Sequence, residues 1–158
     1  MEKGSITGTG NLDFERGKEY ILAGGKKVTH DMTKLSNLSN DASDKVFEFL
    51  KNHSNVEIGH LRTTISNENG MVENNIISTN HLGNHEFELA GKVSQTLNLN
   101  PPGLMSMTYI HSHPFPDSWF GSASPDDEAA FSAWRGHKNA SGVKLNFQVK
   151  YRGITNSY

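Results

Sequence analysis

Residues 105–114 run Met-Ser-Met-Thr-Tyr-Ile-His-Ser-His-Pro. The stretch reads as a β-strand stopped by Pro114, which has no N–H to give to a ladder. Side chains two apart share one face of a strand, so His111 and His113 project together at its C-terminal end. A Gly/Ser/Pro loop follows over 115–123, and Ser124-Pro-Asp-Asp-Glu then opens a helix to about Arg135, with Gly136 as its stop. Leu145 to Tyr151 alternates as a further strand, with Leu145, Phe147, Val149 and Tyr151 inward. Strand, helix and strand in that order belong to a layered sheet.

Upstream the same reasoning adds elements. Asn40-Asp41 is a good N-cap pair, and Ala42, Val46, Phe49 and Leu50 recur behind it at helical spacing, predicting an amphipathic helix over 41–53. Asn55-Val-Glu-Ile-Gly-His-Leu-Arg-Thr-Thr reads as a strand, with Val56, Ile58 and His60 on one face and Glu57, Gly59 and Leu61 on the other. Ser66-Asn-Glu-Asn-Gly is a turn and Asn75-Ile-Ile-Ser-Thr a return strand. Residues 86–98 fit a helix through Phe87, Leu89, Ala90, Val93 and Leu97, although a strand start at Glu86 is also open. Before residue 41, Glu19-Tyr-Ile-Leu-Ala and Lys27-Val-Thr-His flank Gly24-Gly25 as a two-residue hairpin. The expected class is α+β (α/β layered), a mixed β-sheet flanked by helices. Residues 1–40 form an N-terminal arm or linker with that hairpin, and 41–158 form the domain.

Composition narrows the function. A chain of 158 residues suits one domain. Its net charge of −2 and scattered lysines and arginines leave no footprint for nucleic acid. The mean hydropathy of −0.59 and the lack of a long apolar run argue against a membrane span, which needs about 20 such residues. The N-terminal stretch has no h-region and so does not read as a signal peptide. With no cysteine present, thiolate metal sites are excluded, and any metal must be held by His, Asp or Glu.

Two imidazoles from one rigid strand fix part of a tetrahedral zinc site. Surface histidines also occur in such pairs, and Ser124-Pro125-Asp126-Asp127 is in its own right a well-built helix start. The readings are compatible, because a helix start also fixes where Asp127 points. Two His and one Asp leave a fourth position for water, the pattern of catalytic rather than structural zinc. Glu57, a carboxylate in an otherwise apolar strand, is either solvated or has a task.

Taken together, Val56-Glu57-Ile58-Gly59-His60-Leu61, then His111-Ser112-His113-Pro114, then Ser124-x-x-Asp127, resembles the JAMM/MPN metalloprotease family, over about residues 41–151. The resemblance implies an MPN/cytidine-deaminase-like architecture and a zinc peptidase or isopeptidase. In it, His111, His113 and Asp127 match the Zn2+ ligands. Glu57 matches the glutamate that takes a proton from the attacking water and passes it to the leaving nitrogen, and Ser124 matches the donor to the oxyanion.

Two features depart from the family pattern. The loop between His113 and Ser124 is long and carries Trp119 and Phe120, and His60 stands where the family usually has glycine. Within the family, the small size and polar arm look most like the JAB-like toxin domains of bacterial polymorphic toxins. That implies a protein or peptide substrate, a cognate immunity protein as partner, and either a cytoplasmic location or delivery as cargo of a larger secreted protein. A non-catalytic MPN-like scaffold and a housekeeping JAMM isopeptidase are the alternatives. Amidohydrolase barrels with His-x-His need about 250 residues and do not fit. His60, His81, His85 and His137 are further candidate ligands, with His81 and His85 read as solvated loop residues.

Overall fold

One sheet organises the chain in the computed structural model, which describes residues 11–21, 24–36, 38–80, 88–114 and 121–158, with the backbone alone for 11–18, 20, 36 and 88. Its strands are β1 (Asn11–Ile21), β2 (Lys27–Ser36), β3 (Gly59–Asn67), β4 (Gly70–Thr79), β5 (Leu104–Ser112), β6 (Lys144–Tyr151) and β7 (Ile154–Ser157). They lie in the order β1-β2-β4-β3-β5-β6-β7. β5 and β6 pair in parallel and the other neighbours antiparallel. Among the described residues three helices, α1 (Asn40–Asn52), α2 (Glu88–Leu99) and α3 (Pro125–Arg135), flank it, so the class is α+β with a mixed layered sheet, as expected.

Alternation of side chains along the strands divides the core in two. On one face Phe47 of α1 packs with Leu35, Ile58, Ile77 and Ile110. On the other, α2 and α3 bring Leu89, Val93, Leu97, Phe131 and Trp134 against Leu61, Met107, Tyr109, Phe147 and Val149. Phe131 stacks on Phe147 with centroids 4.5 Å apart. Each of these large side chains contributes about 1.5–3 kcal/mol by leaving water, and the β5–α3–β6 unit is therefore rigid.

Several local expectations need correction. α1 is capped by Ser39, whose hydroxyl accepts from the Ala42 N–H at 3.2 Å. Its deepest apolar residue is Phe47 rather than Phe49, which stacks on His53 near the helix end. β1 and β2 close at Ile21↔Lys27, so residues 22–26 join them rather than the two glycines alone. β2 then pairs with β4, continuing the sheet. The stretch after Gly153, read as a tail, is the edge strand β7, antiparallel to β6. Residues 88–99 resolve as helix, while 86 and 87 lie outside the described residues. Among the described residues no helix is long and apolar enough to cross a membrane.

Candidate active site

His111 is the penultimate residue of β5, opposite Gly59 of β3 and Val149 of β6. It shares its face with Tyr109, whose ring is 5.4 Å away, and so looks toward α3. Past the end of the strand the backbone stays extended, held by the His113 N–H donating to Lys150 O at 2.9 Å. The two Nε2 atoms consequently lie 3.0 Å apart. His111 is fully buried and His113 is 9% exposed.

Glu57 arrives from the other side. It precedes β3, where the Ser112 N–H donates to Ile58 O at 2.9 Å and the Ile58 N–H to Ser112 Oγ at 3.0 Å, extending the β3–β5 pairing beyond its last ladder residue. Ile58 goes to the α1 face, and its neighbour Glu57 goes to the face of the histidines. There Glu57 Oε1 lies 3.9 Å from His111 Nε2, in a side chain only 8% exposed. One ligand atom each from Glu57, His111 and His113 falls within a 4.8 Å span, a group able to hold a metal ion.

Asp127 completes the cluster from the first turn of α3. Its Oδ1 is 3.4 Å from His111 Nε2 and its Oδ2 is 3.7 Å from His113 Nε2. The helix start aims it through a full capping box. Ser124 Oγ accepts from the Asp127 N–H at 3.2 Å, and Asp127 Oδ2 accepts from the Ser124 N–H at 2.8 Å. Ser124 Oγ lies a further 2.8 Å from that same oxygen. Burial alone would raise the Asp127 carboxyl, but the two imidazoles and the Ser124 N–H hold it well below the usual carboxylate range. Asp126, its neighbour, is exposed.

The donor set fits a zinc ion. Ligand atoms about 2.0–2.1 Å from a tetrahedral metal stand roughly 3.3 Å from one another; the two Nε2 atoms are 3.0 Å apart, and Asp127 reaches them with different oxygens, Oδ1 3.4 Å from His111 and Oδ2 3.7 Å from His113, while the set with one ligand atom per residue within 4.8 Å is Glu57, His111 and His113. Two nitrogens and a carboxylate oxygen are the ligand types zinc takes when thiolates are absent. Against the usual pattern, His111 Nδ1 is buried with no hydrogen-bond partner among the described residues, where a metal-binding histidine ordinarily donates to an acceptor.

The remaining sequence candidates separate clearly. His60 is buried on the opposite face, 5.7 Å from the Phe47 ring and bonded through Nε2 to Asn75 Oδ1 at 2.9 Å. His137 pairs with Asn98 at 3.0 Å across α2. His81, His85, Trp119 and Phe120 lie outside the described residues.

Two supports escaped sequence reasoning. Asn156 of β7 donates to Gly121 O at 2.8 Å, and the Ala123 N–H donates to Tyr158 Oη at 2.7 Å, so the C-terminal strand ties down the approach to α3. Only an alternating Ile154-Thr-Asn-Ser after the Arg152-Gly153 turn signalled it. The polar rows on β2 and β4 beside Glu57 carried no signal, because strand order placed them there.

The sheet, the three helices and the buried Glu-His-His cluster define a layered α+β domain able to hold a metal ion at the end of its central strands. Among known families, the model of JAB-like toxin 1 matches residues 35–141, and the chain belongs to that family. Glu57, His111, His113, Ser124 and Asp127 all fall inside the matched span. No curated protein and no solved structure matches the chain.

Proposed function

We propose that this JAB-like toxin domain is a zinc-dependent peptidase or isopeptidase, the effector of a bacterial polymorphic toxin. The convergence of Glu57, His111 and His113 within 4.8 Å, with Asp127 beside both imidazoles, carries the reading. His111, His113 and Asp127 would hold the ion. Bound there, zinc would act as a Lewis acid and bring the pKa of a water to about 7.

The chain's own residues do the rest. Glu57, buried and in reach of the same space, takes a proton from the attacking water as its oxygen adds to the amide carbonyl. It returns that proton to the nitrogen as the C–N bond breaks, and the second proton of the water follows it, so that a carboxylate and an ammonium leave. Ser124 has two tasks in this reading. Its backbone N–H and its hydroxyl both donate to Asp127 Oδ2; the N–H keeps that oxygen in place while the hydroxyl turns from it to donate to the oxygen that gains charge.

Metal analysis of purified protein tests the core of the reading. About one zinc per chain is expected, lost in large part from His111→Ala and from His113→Ala. Stoichiometric zinc in both variants would end it. In the producing cell such a domain requires a cognate immunity protein that covers the site.

A further inference from the structure

α2 packs over β3, β4 and β5 and turns Leu89, Val93 and Leu97 into the core, where all three are buried. Its flank, with Lys92, Gln95, Thr96 and Leu99, is one wall of an open groove of about 290 Å³. Leu61, Thr63 and Ile65 of β3 and Ile76 of β4 make the floor, and Pro101 stands at the outer end. Strand register carries the same surface further. Val72 lies opposite Ile65, and Lys34 of β2 lies opposite Ile76, and residues opposite one another in a ladder share a face.

The groove is apolar and uncovered at its outer end, where Leu99 is 73% exposed and Val72 41%. Its charge has one sign. Lys92 is the single charged residue of the lining, Lys34 stands across the groove from it, and neither makes an ion pair with a described residue. The chain as a whole carries a net charge of −2, so the sign is locally reversed. Glu73, from the same strand as Ile76, is bonded to Asn40 of α1 on the other side of the sheet.

The dimensions select a helix as occupant. Leu61 to Ile65 spans about 13 Å of strand, and Lys92 to Leu99 about 10 Å of helix, or two turns. Packed helices lie about 8–10 Å apart, close to two strand spacings of about 4.8 Å. A helix laid beside α2 would therefore rest over β4 and β2, between Lys92 and Lys34. An added strand has no place at Ile76, because β4 already pairs there with β2.

We infer that this groove docks an acidic amphipathic helix of a partner protein. Apolar side chains at i, i+3 or i+4 and i+7 would fill the floor and cover Leu99. Asp or Glu on both flanks would meet Lys34 and Lys92. The floor runs from Leu61 away from Glu57, which lies about 13 Å back along the chain. A partner seated here leaves the metal-binding cluster open, and the inference is independent of the chemistry assigned to Glu57.

Fluorescein-labelled helical peptides of about 14 residues, four turns, test this by anisotropy against the full chain. Both carry leucine at the anchor positions; one has glutamate on its flanks and the other lysine. Saturable binding is expected for the glutamate peptide, and weaker binding for the lysine peptide. Leu99→Ser should weaken the first by about 10-fold, as for an anchoring residue. Lys34→Glu combined with Lys92→Glu should reverse the preference between the peptides, which a damaged fold would not do. Leu99 and Lys34 are exposed, so urea midpoints should stay near the parent's. A parent that binds neither peptide, or both equally, overturns the inference. So does a dimer in sedimentation that Leu99→Ser dissolves, which would put a second copy in the groove. Binding to phosphatidylglycerol vesicles but to neither peptide would overturn it in favour of a membrane surface.

Discussion

Asp127 Oδ2 lies 2.8 Å from both the backbone nitrogen and the hydroxyl oxygen of Ser124, while Asp127 Oδ1 faces His111 Nε2 at 3.4 Å. The helix cap and the candidate metal ligand are therefore one carboxylate with its oxygens divided between two tasks. The helix start is a positioning device for the site.

Ser124→Ala should therefore weaken metal binding, by about 10-fold or more, since partners that orient ligands are worth that much. It should also destabilise the fold by about 1 kcal/mol through the lost cap, with Ser124→Thr close to the parent on both counts. Asp127→Asn should weaken binding further still. The exposed Asp126 provides the control: Asp126→Asn should leave affinity unchanged. Competition with a chromogenic chelator reads all four, and a stronger effect at Asp126 than at Asp127 would contradict the geometry.

How much of this is legible without the structure depends on whether the relation is local. His111 and His113 share a strand face, and Ser124 and Asp127 share one helical turn, so spacing alone places each pair. Glu57 is legible as an isolated carboxylate in an apolar strand, but its approach to His111 depends on β3 pairing with β5, some fifty residues later. Asn80 and His30 are harder again. The register sets them in one row with Glu57 only because β4 lies between β2 and β3 in the sheet order, a long-range choice that no local pattern encodes. Helical spacing selects Phe49 with Val46 and Leu50, because Phe47 is equally apolar and adjacent to that stripe; only the α1 face that meets Ile58 and Ile110 singles out Phe47.

The strap from β7 makes a second prediction. Gly121 has φ +81°, and a Cβ there would meet Tyr151 Cβ at 2.6 Å. Gly121→Ala is therefore expected to destabilise by about 1–3 kcal/mol, the range for a strained backbone position, and to loosen the start of α3. Tyr158→Ala removes the acceptor for the Ala123 N–H and the ring beside Phe131. It should lower metal affinity while touching no ligand. Urea unfolding and the chelator competition check the pair, and a Tyr158→Ala protein with parental affinity would show that the strap does not reach the site.

His60 predicts a pH dependence of stability. Burial pushes its pKa down from 6.5 to about 4, with Arg62 and Lys150 acting the same way and the Asn75 bond opposing them. Asp44 also faces it, with Oδ1 3.6 Å from His60 Nδ1. As pH falls the unfolded chain takes up this proton first, so stability is retained above pH 6.5 and lost progressively toward pH 4. The loss attributable to this residue is at most about 3 kcal/mol. His60→Gln, which keeps a donor for Asn75, should show a flatter profile over that window when urea midpoints are measured at each pH. Parallel profiles for parent and variant would remove His60 as the cause.

Glu57→Gln separates chemistry from metal binding. The amide is close in size to the carboxylate, so the variant should fold and keep its zinc, but it has no lone pair basic enough to take the proton. Removing a general base costs about 10²–10⁴ in rate, and hydrolysis should fall by that factor. If the chain acts as a toxin, producing it in a bacterial cytoplasm should slow growth, and Glu57→Gln should relieve this without lowering the protein level. Growth slowed equally by parent and variant would leave a metal-binding toxin that does not work through Glu57. A harmless parent that still cleaves a peptide bond would remove the toxin role and leave the hydrolase. Because Glu57 lies 3.9 Å from His111 Nε2, a third result is informative: zinc lost together with activity would make Glu57 a ligand, and the proton would then need another carrier.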